Sequence, residues 1–181
     1  MHVPFFDLKI QYQSIKTEID QALAEVVREG VFIGGEYVER FEEEWAATLG
    51  VKHCIGVANG TDSLEILLKA FDIEVGDEVI VPSHTWASTA EAVVTVGATP
   101  VFVDTLDLYY TLDVAKLESK ITPKTKAIIP VHLGGMPVDM DSVMTLASKY
   151  NLKVIEDCAQ SHLAKYKGRY TGTIGHAGSF S

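Results

Sequence analysis

The chain has 181 residues, 47% hydrophobic and 22% charged, with 25 acidic against 15 basic side chains and a net charge of −10. That is enough for one domain with a core of its own and an arm. No basic run is present to neutralise nucleic-acid phosphates, and no stretch approaches the roughly 20 apolar residues of a transmembrane helix. A small anionic ligand stays open, since it needs only a local pocket of N–H donors.

The N-terminus, Met1 to Asp7, has no basic segment followed by a long apolar one, so no signal peptide is expected and the protein is placed in the cytoplasm. The spacing of Ile15, Ile19, Ala22, Leu23, Val26 and Val27 predicts an amphipathic helix over 15–28, closed by Gly30. Phe32 to Gly35 forms a loop, and a second helix covers 36–49, with Val38, Phe41, Trp45 and Leu49 on one face. From there strands and helices alternate. Strands are predicted at 54–58, 78–81, 100–103 and 127–131, and a fifth begins at Val154. Helices are predicted at 61–71, 87–96, 114–121 and 140–150. Apolar strands separated by helices mean a mostly parallel sheet covered on both faces, an α/β fold. Lys165 to Tyr170 predicts a hairpin around Lys167-Gly168, and Gly178 to Ser181 opens another strand. Because the pattern stops in mid-course, the sequence is expected to be part of a longer protein. Cys54 and Cys158 fall in predicted buried strands and read as core residues, neither a disulfide nor a metal site.

Ligands of open α/β sheets sit at the carboxyl ends of the strands, and four strand ends here carry chemistry. Asn59-Gly60-Thr61 lies between a strand and a helix. Outward N–H groups and the helix field there suit a phosphate, although a plain turn with Thr61 as N-cap would look the same. Ser83-His84-Thr85-Trp86 offers either an aromatic plate for a flat ring or a core Trp under the next helix. His132, before Gly134-Gly135, is either a ligand contact or a satisfied structural histidine, and His84 is equally open. Glu156-Asp157-Cys158-Ala159-Gln160 ends a buried strand with two acids. Asp157 must meet a cation of a ligand or a partner within the protein, because an unpaired buried charge is costly. An anion cup, an aromatic plate, a carboxylate and the Gln160 amide together suit a flat, cationic, phosphorylated heteroaromatic ring such as pyridoxal 5′-phosphate (PLP). No HExxH, paired CxxC or EF-hand pattern points to a metal, and no GxSxG elbow to a nucleophilic serine.

These motifs, in this order, resemble the PLP-dependent nucleotide-sugar aminotransferases of the DegT/DnrJ/StrS group, of aspartate-aminotransferase-like fold. The matching segments include Phe5-Phe6-Asp7-Leu8, Asn59-Gly60-Thr61-Asp62-Ser63-Leu64, Thr85-Trp86-Ala87-Ser88-Thr89, Pro130 to Gly135 and Glu156 to Gln160. The resemblance implies a PLP-binding large domain over 34–181, incomplete at its C-terminal end, preceded by an arm and helix over 1–33. It implies that Gly60 and Thr61 donate to the phosphate, Trp86 stacks on the ring, Asp157 faces the ring nitrogen, Gln160 lies beside the ring, and Ser181 adds a phosphate bond. His132 is a substrate-side candidate. The family's Schiff-base lysine would follow shortly after Ser181. The implied activity is conversion of a nucleoside-diphosphate-linked keto-sugar to an amino sugar, with glutamate as donor and a homodimer as the working unit. The alternatives are a PMP-dependent sugar dehydratase, which carries His at the lysine position, and a non-catalytic module on the same fold. The 181 residues alone are expected to be inactive.

Overall fold

The computed structural model describes residues 3–181. Two helices come first: α1 (Leu8–Glu29) and α2 (Glu36–Leu49). They are followed by α3 (Gly60–Ala70), β1 (Glu78–Pro82), α4 (Ser88–Thr95), β2 (Thr99–Val103) and the short α5 (Val114–Leu117). Then come β3 (Thr125–Ile128), α6 (Met140–Tyr150), β4 (Lys153–Asp157), the hairpin β5 (Lys165–Tyr166) and β6 (Arg169–Tyr170), and β7 (Ala177–Ser179). The main sheet has the order β2-β1-β3-β4-β7, and every pairing in it is parallel.

The period-two alternation of the strands builds two cores. Val79, Val81, Ala127, Ile129 and Ile155 pack with Leu64 and Leu68 of α3 and Ala92 and Val93 of α4. Ile80, Ile128 and Val154 face the other way, onto Leu117 of α5 and Met140, Val143 and Ala147 of α6. Each such side chain contributes on the order of 1.5–3 kcal/mol through burial. The same alternation carried two residues further along β4 sends Glu156 to the α6 face and Asp157 to the α3–α4 face.

The predicted helices over 36–49 and 140–150 match α2 and α6 to the residue. The first helix starts seven residues earlier than its apolar spacing implied, because the Asp7 side chain accepts from the Lys9 N–H and caps it. No residue of α1 is buried, and Ile15, Ile19, Leu23 and Val27 stay exposed along it. The helix predicted over 114–121 keeps α geometry only to Leu117 and tightens to a 3₁₀ turn over Glu118–Lys120.

One predicted strand does not form. Residues 54–58 are irregular, and the Gly56 N–H donates to Glu42 Oε1 of α2 at 2.5 Å instead of joining a ladder. Cys54 is therefore half-buried and outside any strand, which corrects its placement in a buried one, whereas Cys158 is buried as expected; both are free thiols. Among the described residues no helix is long and apolar enough to cross a membrane.

Candidate active site

The carboxyl ends of β1, β4 and β7 and the N-terminus of α3 meet at one edge of the sheet. Asn59 caps α3: its Oδ1 accepts from the Asp62 N–H at 2.9 Å, and its Nδ2 donates to Asp62 Oδ2 at 3.0 Å. The cap is thus Asn59 rather than Thr61, and the Asp62 carboxylate is drawn to the Asn59 side chain. Gly60 and Thr61 open the first turn, where backbone N–H groups lack intrahelical acceptors. A Cβ on Gly60 would stand 2.8 Å from Ser181 Cβ and 3.1 Å from its Oγ. The absence of a side chain at residue 60 is what lets the β7 strand end approach the helix N-terminus. Ser179 Oγ reaches the Gly60 carbonyl at 3.4 Å, closing the same corner.

Asp157 pairs with Ser179 in the β4–β7 register, so the carboxylate and this corner are neighbours. It is buried, at 7% exposure. Its Oδ1 accepts from the Ala159 N–H at 3.2 Å and its Oδ2 from the Thr89 hydroxyl at 3.0 Å. Burial pushes its carboxyl above the ordinary range, and those two bonds only partly offset the shift. Asp157 is thus a buried acid with acceptor capacity left over and, among the described residues, no cation bonded to it. Trp86 lies one turn before Thr89, whose N–H donates to the Trp86 carbonyl at 3.2 Å. The Trp86 side chain is 79% exposed, so it is not a core residue under α4. Gln160 is exposed, and its Oε1 accepts from the Gly134 N–H at 2.8 Å, tying the loop after β3 to the segment after β4.

His132 lies elsewhere. It is fully buried on the α6 face; its Nδ1 accepts from the Val138 N–H at 3.1 Å and its Nε2 meets Glu156 Oε2 at 2.9 Å. Both ring nitrogens are engaged inside the protein, so the substrate contact expected of His132 gives way to a structural role. His84 is exposed beside Tyr110, with ring centroids 5.6 Å apart.

The structure therefore gathers Gly60, Thr61, Asp157 and Ser181 at one corner, with Trp86 and Gln160 on adjoining loops. The donor set fits PLP: a helix N-terminus for a phosphate, a glycine approach that a Cβ would fill, and a buried acid suited to a ring N–H⁺. The family model for the DegT/DnrJ/EryC1/StrS aminotransferases matches residues 13–181. The chain belongs to this family.

Among its relatives in the family, a dTDP-3-amino-3,6-dideoxy-alpha-D-galactopyranose transaminase from Aneurinibacillus thermoaerophilus is 48% identical over 99% of this chain and 49% of its own length. A UDP-N-acetyl-3-dehydro-alpha-D-glucosamine 3-aminotransferase from Acidithiobacillus ferrooxidans is 47% identical over 99% of this chain and 48% of its own length. The crystal structure of Streptomyces venezuelae DesV, in complex with a ketimine intermediate, superposes with a TM-score of 0.91 at 45% identity, over 98% of this chain and 47% of that one. The chain thus spans about half the length of the relatives it matches.

Two contributors to this candidate site carried no assigned role in the sequence. Thr89 holds Asp157, and the signal was available, since Thr89 sits one helical turn after Trp86 on the same βα connection. Ser179 braces Gly60 across 119 residues of sequence, a separation at which no local pattern can announce the contact.

Proposed function

We propose that the complete protein is a PLP-dependent aminotransferase that converts a nucleoside-diphosphate-linked keto-sugar to an amino sugar, with glutamate as amino donor. The observation that carries this is Asp157, a buried carboxylate at a strand end, raised by burial, beside a helix N-terminus and an exposed tryptophan. PLP, when bound, supplies an electron-withdrawing pyridinium that lowers the barrier to proton removal at the substrate carbon. Asp157 would keep the ring nitrogen protonated, with Thr89 and the Ala159 N–H fixing the carboxylate's orientation. Gly60, Thr61 and Ser181 would hold the phosphate, Trp86 would cover one ring face, and Gln160 would lie beside the ring. A lysine of the complete protein, following Ser181, would move the proton.

The Aneurinibacillus and Acidithiobacillus relatives are both named for amination at sugar carbon 3. We therefore place the keto group of this protein's substrate at carbon 3, and read the protein as an enzyme of amino-sugar and polysaccharide biosynthesis. We also take residues 1–33 as an arm and 34–181 as part of the cofactor-binding domain, in a cytoplasmic homodimer. The exposed apolar stripe of α1 supports an assembled state.

The test is to incubate the full-length protein with PLP, glutamate and dTDP- or UDP-linked 3-keto-sugars. The expected products are the 3-amino sugar nucleotide and 2-oxoglutarate. A loss of water from the sugar, with no nitrogen gained from glutamate, would replace this reading with the dehydratase one.

A further inference from the structure

Glu156 has no exposed surface, and it is the best-satisfied carboxylate among the described residues. Its Oε1 accepts from the Ile174 N–H at 2.7 Å and the Gly175 N–H at 2.6 Å. Its Oε2 accepts from the Gly172 N–H and from His132 Nε2, both at 2.9 Å. Since His132 Nδ1 must accept from the Val138 N–H, the histidine proton sits on Nε2 and the ring is neutral. Burial alone would raise the Glu156 carboxyl, but the bonds from His132, Gly175 and Gly172 outweigh it and hold the group below its ordinary range. The turn from Thr171 to Gly175 is therefore wrapped around an anion that belongs to the protein. Gly172 permits this at φ +84, where any Cβ would collide with the Phe180 ring.

This turn leads directly into the candidate site. The His176 N–H donates to the Val154 carbonyl at 2.8 Å, and β7 then pairs residue by residue with Ile155, Glu156 and Asp157. That register sets Ser179 against Gly60 and brings Ser181 to the position a Gly60 Cβ would take. We propose that Glu156 is a positioning residue, whose carboxylate fixes the 171–175 turn and through it the β7 wall of the phosphate cup. The clamp is seen directly; that the cup takes a phosphate rests on the aminotransferase function proposed for the complete protein.

A cation is not the alternative. The candidate ligand atoms of His132, Glu156 and Cys158 lie within 4.8 Å of one another. Both His132 nitrogens and both Glu156 oxygens are engaged, and burial and then the Glu156 charge push the Cys158 thiol up.

An amide at residue 156 keeps one oxygen and turns an NH₂ toward one of the two donor pairs. Whichever way it lies, at least one turn N–H faces a donor. His132 has no compensating tautomer, because a proton on Nδ1 would oppose the Val138 N–H. The experiment uses the full-length protein with Glu156→Gln and the milder Glu156→Asp, which keeps the charge but draws it back by one methylene. Without cofactor, hydrogen exchange should lose protection in peptides covering 171–181 and keep it in α6 and β1–β3. With cofactor, affinity for PLP should fall about tenfold or more while affinity for pyridoxal, which lacks the phosphate, stays within about twofold. Glu156→Asp should show the same pattern to a smaller degree. Unchanged exchange at 171–181, or protection lost evenly across the domain in both variants, would overturn the proposal. A local loss of protection with PLP and pyridoxal weakened alike would support the clamp and count instead against the phosphate cup.

Discussion

The two faces of β4 end on adjacent acids that the fold treats in opposite ways. Glu156 accepts four hydrogen bonds and is held below its ordinary pKa range; Asp157 accepts two and is raised above it. Their desolvation is similar, so the number and kind of donors decide the sign. A carboxylate saturated by its own chain can brace a wall but has nothing left for a ligand. One that is buried and under-bonded costs stability until a cation arrives. Substitutions on the Asp157 side should therefore change ligand behaviour and spare the fold, and those on the Glu156 side should loosen the 171–181 segment and reach the ligand only through it.

The largest expected effect is on chemistry. Asp157→Asn in the full-length protein should leave PLP bound and slow transamination by about a hundredfold or more, because the charge holding the ring nitrogen protonated is lost. Single-turnover rates check this, and an activity within about twofold of the parent would end the assignment. Gly60→Val should come next. The new side chain meets Ser181, and crowding costs of 1–3 kcal/mol correspond to a PLP affinity lower by about tenfold or more. An absorbance titration reads it. Trp86→Ala should be milder, with PLP weakened about fivefold through lost stacking of roughly 1 kcal/mol. Because Trp86 is exposed, the variant's thermal midpoint should stay with the parent's.

The smallest effect separates the two acids by pH in the cofactor-free protein. Glu156, lowered in the fold, contributes stability that is present above its ordinary pKa and lost as pH falls through its folded value. Asp157, raised in the fold, costs stability as pH rises from its ordinary pKa through its folded one. Urea unfolding against pH should then show a shallower acid-side loss in Glu156→Gln, and no stability deficit at neutral pH in Asp157→Asn. The opposite assignment of the two slopes would break the comparison.

The elements around this pair were legible to different degrees. Alternating apolar runs and helix punctuation marked β1 to β4, α2 and α6, since those signals are local and agree with the packing. Asp157 could be singled out because an acid at the end of an apolar strand violates the local rule. Residues 54–58 had strand composition but lacked a ladder, and β propensity forms nothing without a partner. His132 looked equally like a ligand and a core residue. What decided it is Glu156, 24 residues away, whose four donors come from loops on either side of β4. The cup shows the same limit: Asn59-Gly60-Thr61 marks its floor, whereas the Ser179 and Ser181 wall depends on the parallel register of β7.

The most direct test of the Asp157 assignment is the ¹⁵N resonance of ring-labelled PLP bound to the full-length protein at neutral pH. The expected result is a pyridinium signal coupled to a proton in the parent, replaced by an unprotonated pyridine signal in Asp157→Asn. An unprotonated ring in the parent, or a pyridinium that survives the substitution, would contradict it.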